Sequence, residues 1–350
     1  MNSKINFLLS KVKKYNFLEL FIIASPFIDL INCLFLNVLK INFTIGMVIR
    51  FVFLGVLLYY FIFKCDAKYK KWSLIYFGVI AVYSAIFLTN MIDEKGFNYI
   101  FFELKTLIKN FYYPTCLIII LNLFESKKYK FDNKVFVLAT IIYLTFILIP
   151  ILTSTSLITY SNDKKGYIGW FYSPNEIGAI LAFLSPFMIA LFIKYANKWY
   201  TYLLFAIYAE VMFAIGTKVP FLGITLTIFV NIIILLIRFL LAKTKERNYI
   251  IKNVFLLVIM SIIRVFLFIE SPVYENFNIH IKRLDNKPIP KSEKITNIIY
   301  SGRDKYNQMV YGKWKEASLK EQVFGLGLLD VNNEKKIKYN MIEIDYGDIF

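Results

Sequence analysis

Residues 206–229 read AIYAEVMFAIGTKVPFLGITLTIF, two apolar runs parted only by Gly216, Thr217 and Lys218. Extended outward, the runs cover roughly residues 199–216 and 219–241. Each approaches the about 20 apolar residues that a helix needs to cross a bilayer core of roughly 30 Å. Pro220 suits the first turn of the second helix, where its missing N–H costs nothing. The stretch predicts two membrane spans joined by a tight turn at membrane depth.

The same pattern recurs on both sides, with expected spans at 17–38, 43–63, 72–91, 107–124, 135–153, 174–193 and 250–269. A composition 58% apolar, 18% aromatic and only 19% charged agrees, and it excludes an ordinary soluble domain. The predicted fold class is all-α: a polytopic transmembrane helix bundle of about nine spans. Residues 1–269 form the bundle and 270–350 a long extracytoplasmic loop region.

Orientation follows from charge, because short cytoplasmic loops carry an excess of Lys and Arg. With the N-terminus inside, the inner segments hold 18 such residues, among them Lys11, Lys13, Lys14, Lys68, Lys70, Lys71, Lys127 and Lys128. The short outer connections hold seven: Lys40, Lys95, Lys105, Lys109, Lys164, Lys165 and Lys218. The leading stretch MNSKINFLLSKVKKYNF lacks a small-residue cleavage site, so the first span is expected to be retained. The net charge of +17 is thereby explained by membrane orientation, and nucleic acid is excluded as a partner, since no basic groove or arm collects these residues. Cys33, Cys65 and Cys116 are too widely spaced to suggest a disulfide framework or a metal site.

Charges inside spans are costly, so each calls for a partner or a task. Asp29 and Arg50 lie at roughly matching depths in consecutive spans and are expected to form an ion pair. Arg264, in the outer half of its span, either reaches a phosphate or pairs with Glu210, and Arg238 snorkels to the inner interface. Lys218, in the outer turn, is placed to meet the headgroup of a lipid or of a lipid-linked diphosphate.

Two helix starts face outward. Ser173, Pro174 and Glu176 have the spacing of a capping box before the sixth span. Ser301 and Asp304 repeat it in the external segment, placing Arg303 in a first helical turn, which is either a guanidinium clamp for a phosphate or a plain solvated helix end. Glu343, Asp345 and Asp348 follow; they are either candidate general bases near the membrane surface or an acidic loop.

In their order these features resemble the O-antigen ligase and polysaccharide polymerase (Wzy-like) superfamily of bacterial membrane glycan transferases. The elements that carry the resemblance are WFYSPNEIG (170–178), GTK (216–218), SGR (301–303), Trp314, FGLG (324–327) and EIDYGD (343–348). The resemblance implies a metal-independent glycosyltransferase without cofactor in the bacterial cytoplasmic membrane, acting on undecaprenyl-diphosphate-linked oligosaccharide. It implies diphosphate binding by Lys218 and Arg303, which Arg264 would join if it reaches the phosphate, catalysis by Glu343, Asp345 and Asp348, and membrane lipids, a flippase and a chain-length regulator as partners. The superfamily's ligases place a His late in the outer loop, whereas the one His here, His280, lies early, which favours a polymerase. The family's closing helices are expected to be missing after EIDYGDIF. A ligase remains the alternative within the enzyme class. Outside that class, a lipid-linked oligosaccharide flippase should show more polar residues along its spans and no large outer loop.

Overall fold

The computed structural model describes residues 16–41, 45–95, 100–126, 132–160, 163–241, 243–286, 290–300 and 303–324. Among them helices dominate: α1 (Phe17–Cys33), extended by a π-helical turn at Leu34–Val38, α2 (Ile45–Lys64), α3 (Ala67–Lys95), α4 (Ile100–Glu125) and α5 (Asn133–Leu152). A small antiparallel hairpin follows, β1 (Leu157–Ile158) with β2 (Tyr167–Gly169). Then come α6 (Pro174–Lys194), α7 (Tyr200–Ala214), α8 (Lys218–Leu241) and α9 (Thr244–Ile269). The short helices α10 (Pro272–Asp285), α11 (Lys291–Tyr300), α12 (Arg303–Glu316) and α13 (Leu319–Phe324) complete the described chain.

Eight of these helices are long and apolar enough to cross a membrane, matching eight of the nine expected spans. The remaining one, α7, is apolar but has only 15 residues. At about 1.5 Å rise per residue it falls short of the full hydrocarbon thickness. α8 shows why these helices suit lipid. Pro220, Ile224, Thr227, Ile228 and Leu235 are buried, while Leu222, Leu226, Phe229, Ile233 and Leu240 stay exposed on the opposite side. Such an apolar outward face belongs against acyl chains.

Contacts divide the chain into two compact units, residues 1–50 with 131–282 and residues 51–130 with 283–350. Most of α10, placed by sequence in the external segment, therefore packs with the helices of the first unit. At the start of that unit, Asn16 and Glu19 form a capping box on α1, and the Glu19 carboxylate also accepts the Asp132 N–H at 2.8 Å. This joins the starts of α1 and α5. Midway down the span, Asp29 and Arg50 form the expected ion pair at 3.1 Å. The Tyr143 hydroxyl donates to the other Asp29 oxygen at 2.7 Å. The core beyond is built from Tyr143, Phe171, Leu181, Phe205, Tyr208 and Phe213. The hydroxyls of Ser185 and Tyr208 satisfy each other inside it at 2.8 Å.

Small residues let α6 and α8 cross closely. A Cβ at Gly223 would stand 2.5 Å from that of Ala182, and one at Gly178 would stand 3.1 Å from Pro220 Cδ. Gly178 and Ala182 are one turn apart, the small-residue spacing that brings membrane helices together. Because Gly178 meets Pro220 and Ala182 meets Gly223, the two helices run parallel, with their N-termini side by side.

In the second unit, Asn122 donates to Ser73 at 2.6 Å, and Cys65 and Ser126 share a hydrogen bond of 3.3 Å. All three cysteines are free. Tyr83 stacks on Phe87, meets Phe111 and Phe324, and donates to the Phe324 carbonyl at 3.1 Å.

Gly223→Leu is expected to destabilise the folded protein by about 1–3 kcal/mol through overpacking. Gly55→Leu, in the interior of α2 with nothing within 4 Å, is expected to cause no loss of thermal stability in detergent. For the ion pair, Asp29→Leu alone lowers the melting temperature more than Asp29→Leu combined with Arg50→Leu, because the single change removes the Asp29 countercharge from a cation held at membrane depth.

Candidate functional site

The paired N-termini of α6 and α8 define one end of the first unit, and the connections around them are locked by hydrogen bonds. Gly216 adopts φ +77°, and a Cβ there would meet the Lys165 carbonyl oxygen at 2.4 Å. At Gly166 a Cβ would stand 2.4 Å from the Ile215 carbonyl oxygen. The α7–α8 turn and the hairpin loop thus touch backbone to backbone, an approach that only glycine allows. Thr159 adds a hydrogen bond from its hydroxyl to the Ile215 carbonyl at 2.7 Å. The hairpin is held in turn by α5: Trp170 N–H donates to the Phe146 carbonyl at 3.2 Å, and Gly169, at φ +64°, sits where a Cβ would strike that same oxygen.

The α10 helix closes this end from the other side. The Asn276 side chain, 7% exposed, accepts the Lys165 N–H at 2.8 Å and donates to the carbonyls of Lys165 and of Gly216, the latter at 2.9 Å. One N–H and two carbonyl partners fix which end of the amide is oxygen. Beside it Lys165 and Glu275 form an ion pair at 3.0 Å. Lys164 lies over the Tyr160 ring at 5.3 Å, and burial pushes the Tyr160 hydroxyl pKa up, so it stays a neutral donor.

From this scaffold α8 presents a polar stripe. Lys218, Phe221 and Thr225 follow an i, i+3, i+7 spacing and share one helix face. The Arg264 guanidinium of α9 lies 5.6 Å over the Phe221 ring and donates a short hydrogen bond to the Thr225 hydroxyl. Lys218 and Arg264 therefore belong to the same stripe. The two parallel helix N-termini add a favourable potential for anions. The Thr217 hydroxyl, buried at the start of α8, and the Arg264 Nε have no hydrogen-bond partner among the described residues. Stacked Phe221 and Phe268 form an apolar wall next to the guanidinium, with ring centroids 4.5 Å apart. A cationic stripe flanked by aromatic rings at the end of a membrane helix suits an anionic headgroup on an apolar chain.

Several expectations change. Arg264 makes no ion pair with Glu210 among the described residues; Glu210 is exposed on α7, and the ring and hydroxyl of α8 take the guanidinium instead. The capping box before α6 does not form. Ser173 is the N-cap residue but makes no side-chain cap bond, and Glu176 is exposed. Pro174 at the first helical position and the seat of Gly178 on Pro220 fix that helix start without it. α12 begins at Arg303, as the Ser301–Asp304 spacing predicts, although the side chain of Arg303 lies outside the described residues. Glu343, Asp345 and Asp348 also lie outside them. Asn276 went unnoticed in the sequence, yet a signal exists. It sits one turn after the buried Val273 on the inward stripe of α10, and a polar residue on a buried stripe needs partners.

Residues 11–297 match the family model described as O-antigen ligase like membrane protein. The chain belongs to this family of multi-pass membrane proteins. No curated protein and no solved structure matches it. The matched stretch covers the α6 and α8 N-termini, Lys218, Arg264 and Asn276, and it ends before Arg303.

Gly216→Ala is expected to destabilise the turn by about 1–3 kcal/mol, since alanine at φ +77° is strained and its methyl would clash with the Lys165 carbonyl. Thermal unfolding checks this against Gly312→Ala, in the interior of α12 with nothing within 4 Å, where no loss is expected and helix propensity favours alanine by about 0.5–1 kcal/mol.

Proposed function

We propose that this protein polymerises undecaprenyl-diphosphate-linked oligosaccharide repeat units into a capsular, exo- or O-antigen-type polysaccharide at the outer face of the bacterial cytoplasmic membrane. Family membership supports glycan transfer in the membrane. The observation that carries the reading is the stripe of Lys218, Phe221, Thr225 and Arg264 beside two helix N-termini. By the charge rule this end of the bundle lies outside and the N-terminus in the cytoplasm.

In the proposed reaction an acceptor hydroxyl attacks the anomeric carbon of the donor glycan. The bond from that carbon to the diphosphate oxygen breaks, and the lipid diphosphate leaves. Lys218, Arg264 and Arg303 stabilise the charge that develops on the leaving oxygens. One of Glu343, Asp345 and Asp348 takes the hydroxyl proton. The aromatic wall of Phe221 and Phe268 accommodates the first isoprene units.

The family description favours one second reading, a ligase that moves finished glycan to another acceptor. Either enzyme would work beside a flippase that delivers the lipid-linked donor, and a polymerase would also work with a chain-length regulator.

Complementation of a strain lacking the gene, read as polysaccharide chain length on a gel, tests the assignment. Lys218→Ala, Arg303→Ala and Glu343→Gln are each expected to replace long polymer with single or few repeat units. Normal long polymer from all three variants overturns the site. Polymer of full length that no longer reaches its acceptor identifies the ligase instead.

A further inference from the structure

Thr217 and Lys218 follow Gly216 directly, so the direction in which Lys218 leaves the turn is set by how the backbone at 215 and 216 is held. Besides the Ile215 N–H bond back to Phe213, it is held by the Thr159 hydroxyl to the Ile215 carbonyl at 2.7 Å, the Gly216 N–H to the Phe213 carbonyl at 3.0 Å, and the Asn276 amide to the Gly216 carbonyl at 2.9 Å. Only the last comes from outside the α5–α8 region. It is made by a side chain that also grips both backbone groups of Lys165, the residue against which Gly216 is pressed.

We propose that Asn276 is a positioning residue for the diphosphate-binding lysine: it clamps the Gly216–Lys218 turn to the hairpin loop and so aims Lys218 at the lipid diphosphate. This rests on the reading of Lys218 given above. The form of the contact supports it. The described hydrogen bonds of the Asn276 side chain all go to main-chain atoms of the two loops that meet at the α8 N-terminus. The helix that carries it has its own apolar anchor in Val273, 4% exposed and part of the core, so α10 does not depend on Asn276 alone for its seat. Asparagine is also the side chain this position requires. An aspartate in its place would keep the acceptor for the Lys165 N–H but turn a carboxylate oxygen toward two carbonyls, and alanine would leave one donor and two acceptors unmet. A consequence is that the segment after the last described span is coupled to the diphosphate site through one side chain, so displacement of α10 loosens Lys218.

The test measures binding of undecaprenyl diphosphate, carrying no glycan, to the full chain in nanodiscs, with thermal unfolding recorded for each variant. Lys218→Ala is expected to weaken binding about tenfold, and Asn276→Ala about fivefold. If Asn276 acts through Lys218, adding Asn276→Ala to Lys218→Ala costs less than about twofold more, because the side chain being aimed is gone. Asn276→Asp, which preserves size and one hydrogen bond, is expected to weaken binding at least as much as Asn276→Ala. Unchanged binding by Lys218→Ala sinks the diphosphate reading itself. Weakening by Lys218→Ala together with wild-type binding by both Asn276 variants, or an equal loss from Asn276→Ala in both backgrounds, overturns the positioning role and leaves that reading standing. Failure of both Asn276 variants to accumulate as folded protein also counts against the proposal, since it would make the residue a requirement of the fold.

Discussion

Where α6 and α8 cross, Gly223 rests against Ala182 more closely than a larger side chain would permit, and Gly178 fits tightly against Pro220 and Thr217. In lipid, without hydrophobic drive between helices, such approach depends on packing, and small residues make it possible. The crossing sets two parallel helix starts next to each other and fixes where the α7–α8 turn emerges. The hairpin, the Gly216 turn and α10 are assembled around that point. Lys218 and Arg264 owe their common stripe to the same geometry, because α9 packs along α8 and lays its guanidinium over Phe221.

Polar groups at this end obey the rule that buried donors and acceptors find partners. Backbone contact between Gly216 and Lys165 is so close that only side-chain amides and hydroxyls can complete the network, and Asn276 and Thr159 supply them. Deeper in the span the same demand is met by charge. Asp29 takes both the Arg50 guanidinium and the Tyr143 hydroxyl, and Tyr143 in turn packs on Phe171, with ring centroids 5.4 Å apart. Phe171 belongs to the loop leading into α6, so the first span is linked through two side chains to the approach of the proposed site.

Most of the membrane architecture could be read from the sequence, because length and hydropathy decide whether a helix crosses a bilayer and little else competes. The Asp29–Arg50 pair was legible for a similar reason, since two opposite charges at equal depth have few other partners. Arg264 was harder. Its depth also matched the Phe221 ring and the Thr225 hydroxyl, which lie within two turns of Lys218 and do not register as charge partners. The hairpin strands span two and three residues, too short for any alternation to show. Asn276 stayed hidden because its partners are main-chain atoms 60 and 111 residues away, which no side-chain pattern marks. The run at 199–216 carries no charge except Glu210 and so has the composition of a full span, yet the helix itself ends at Ala214, just before Gly216 forces the turn.

The central claim is that a lipid diphosphate rests on the α8 stripe beside the paired helix starts. Photocrosslinking tests it most directly, using undecaprenyl diphosphate with a diazirine on the isoprene unit next to the diphosphate, followed by peptide mapping. The account predicts adducts within residues 216–229 and 260–270 that excess unlabelled lipid diphosphate competes away. Competable adducts concentrated instead around residues 65–73 and 118–126 would contradict it.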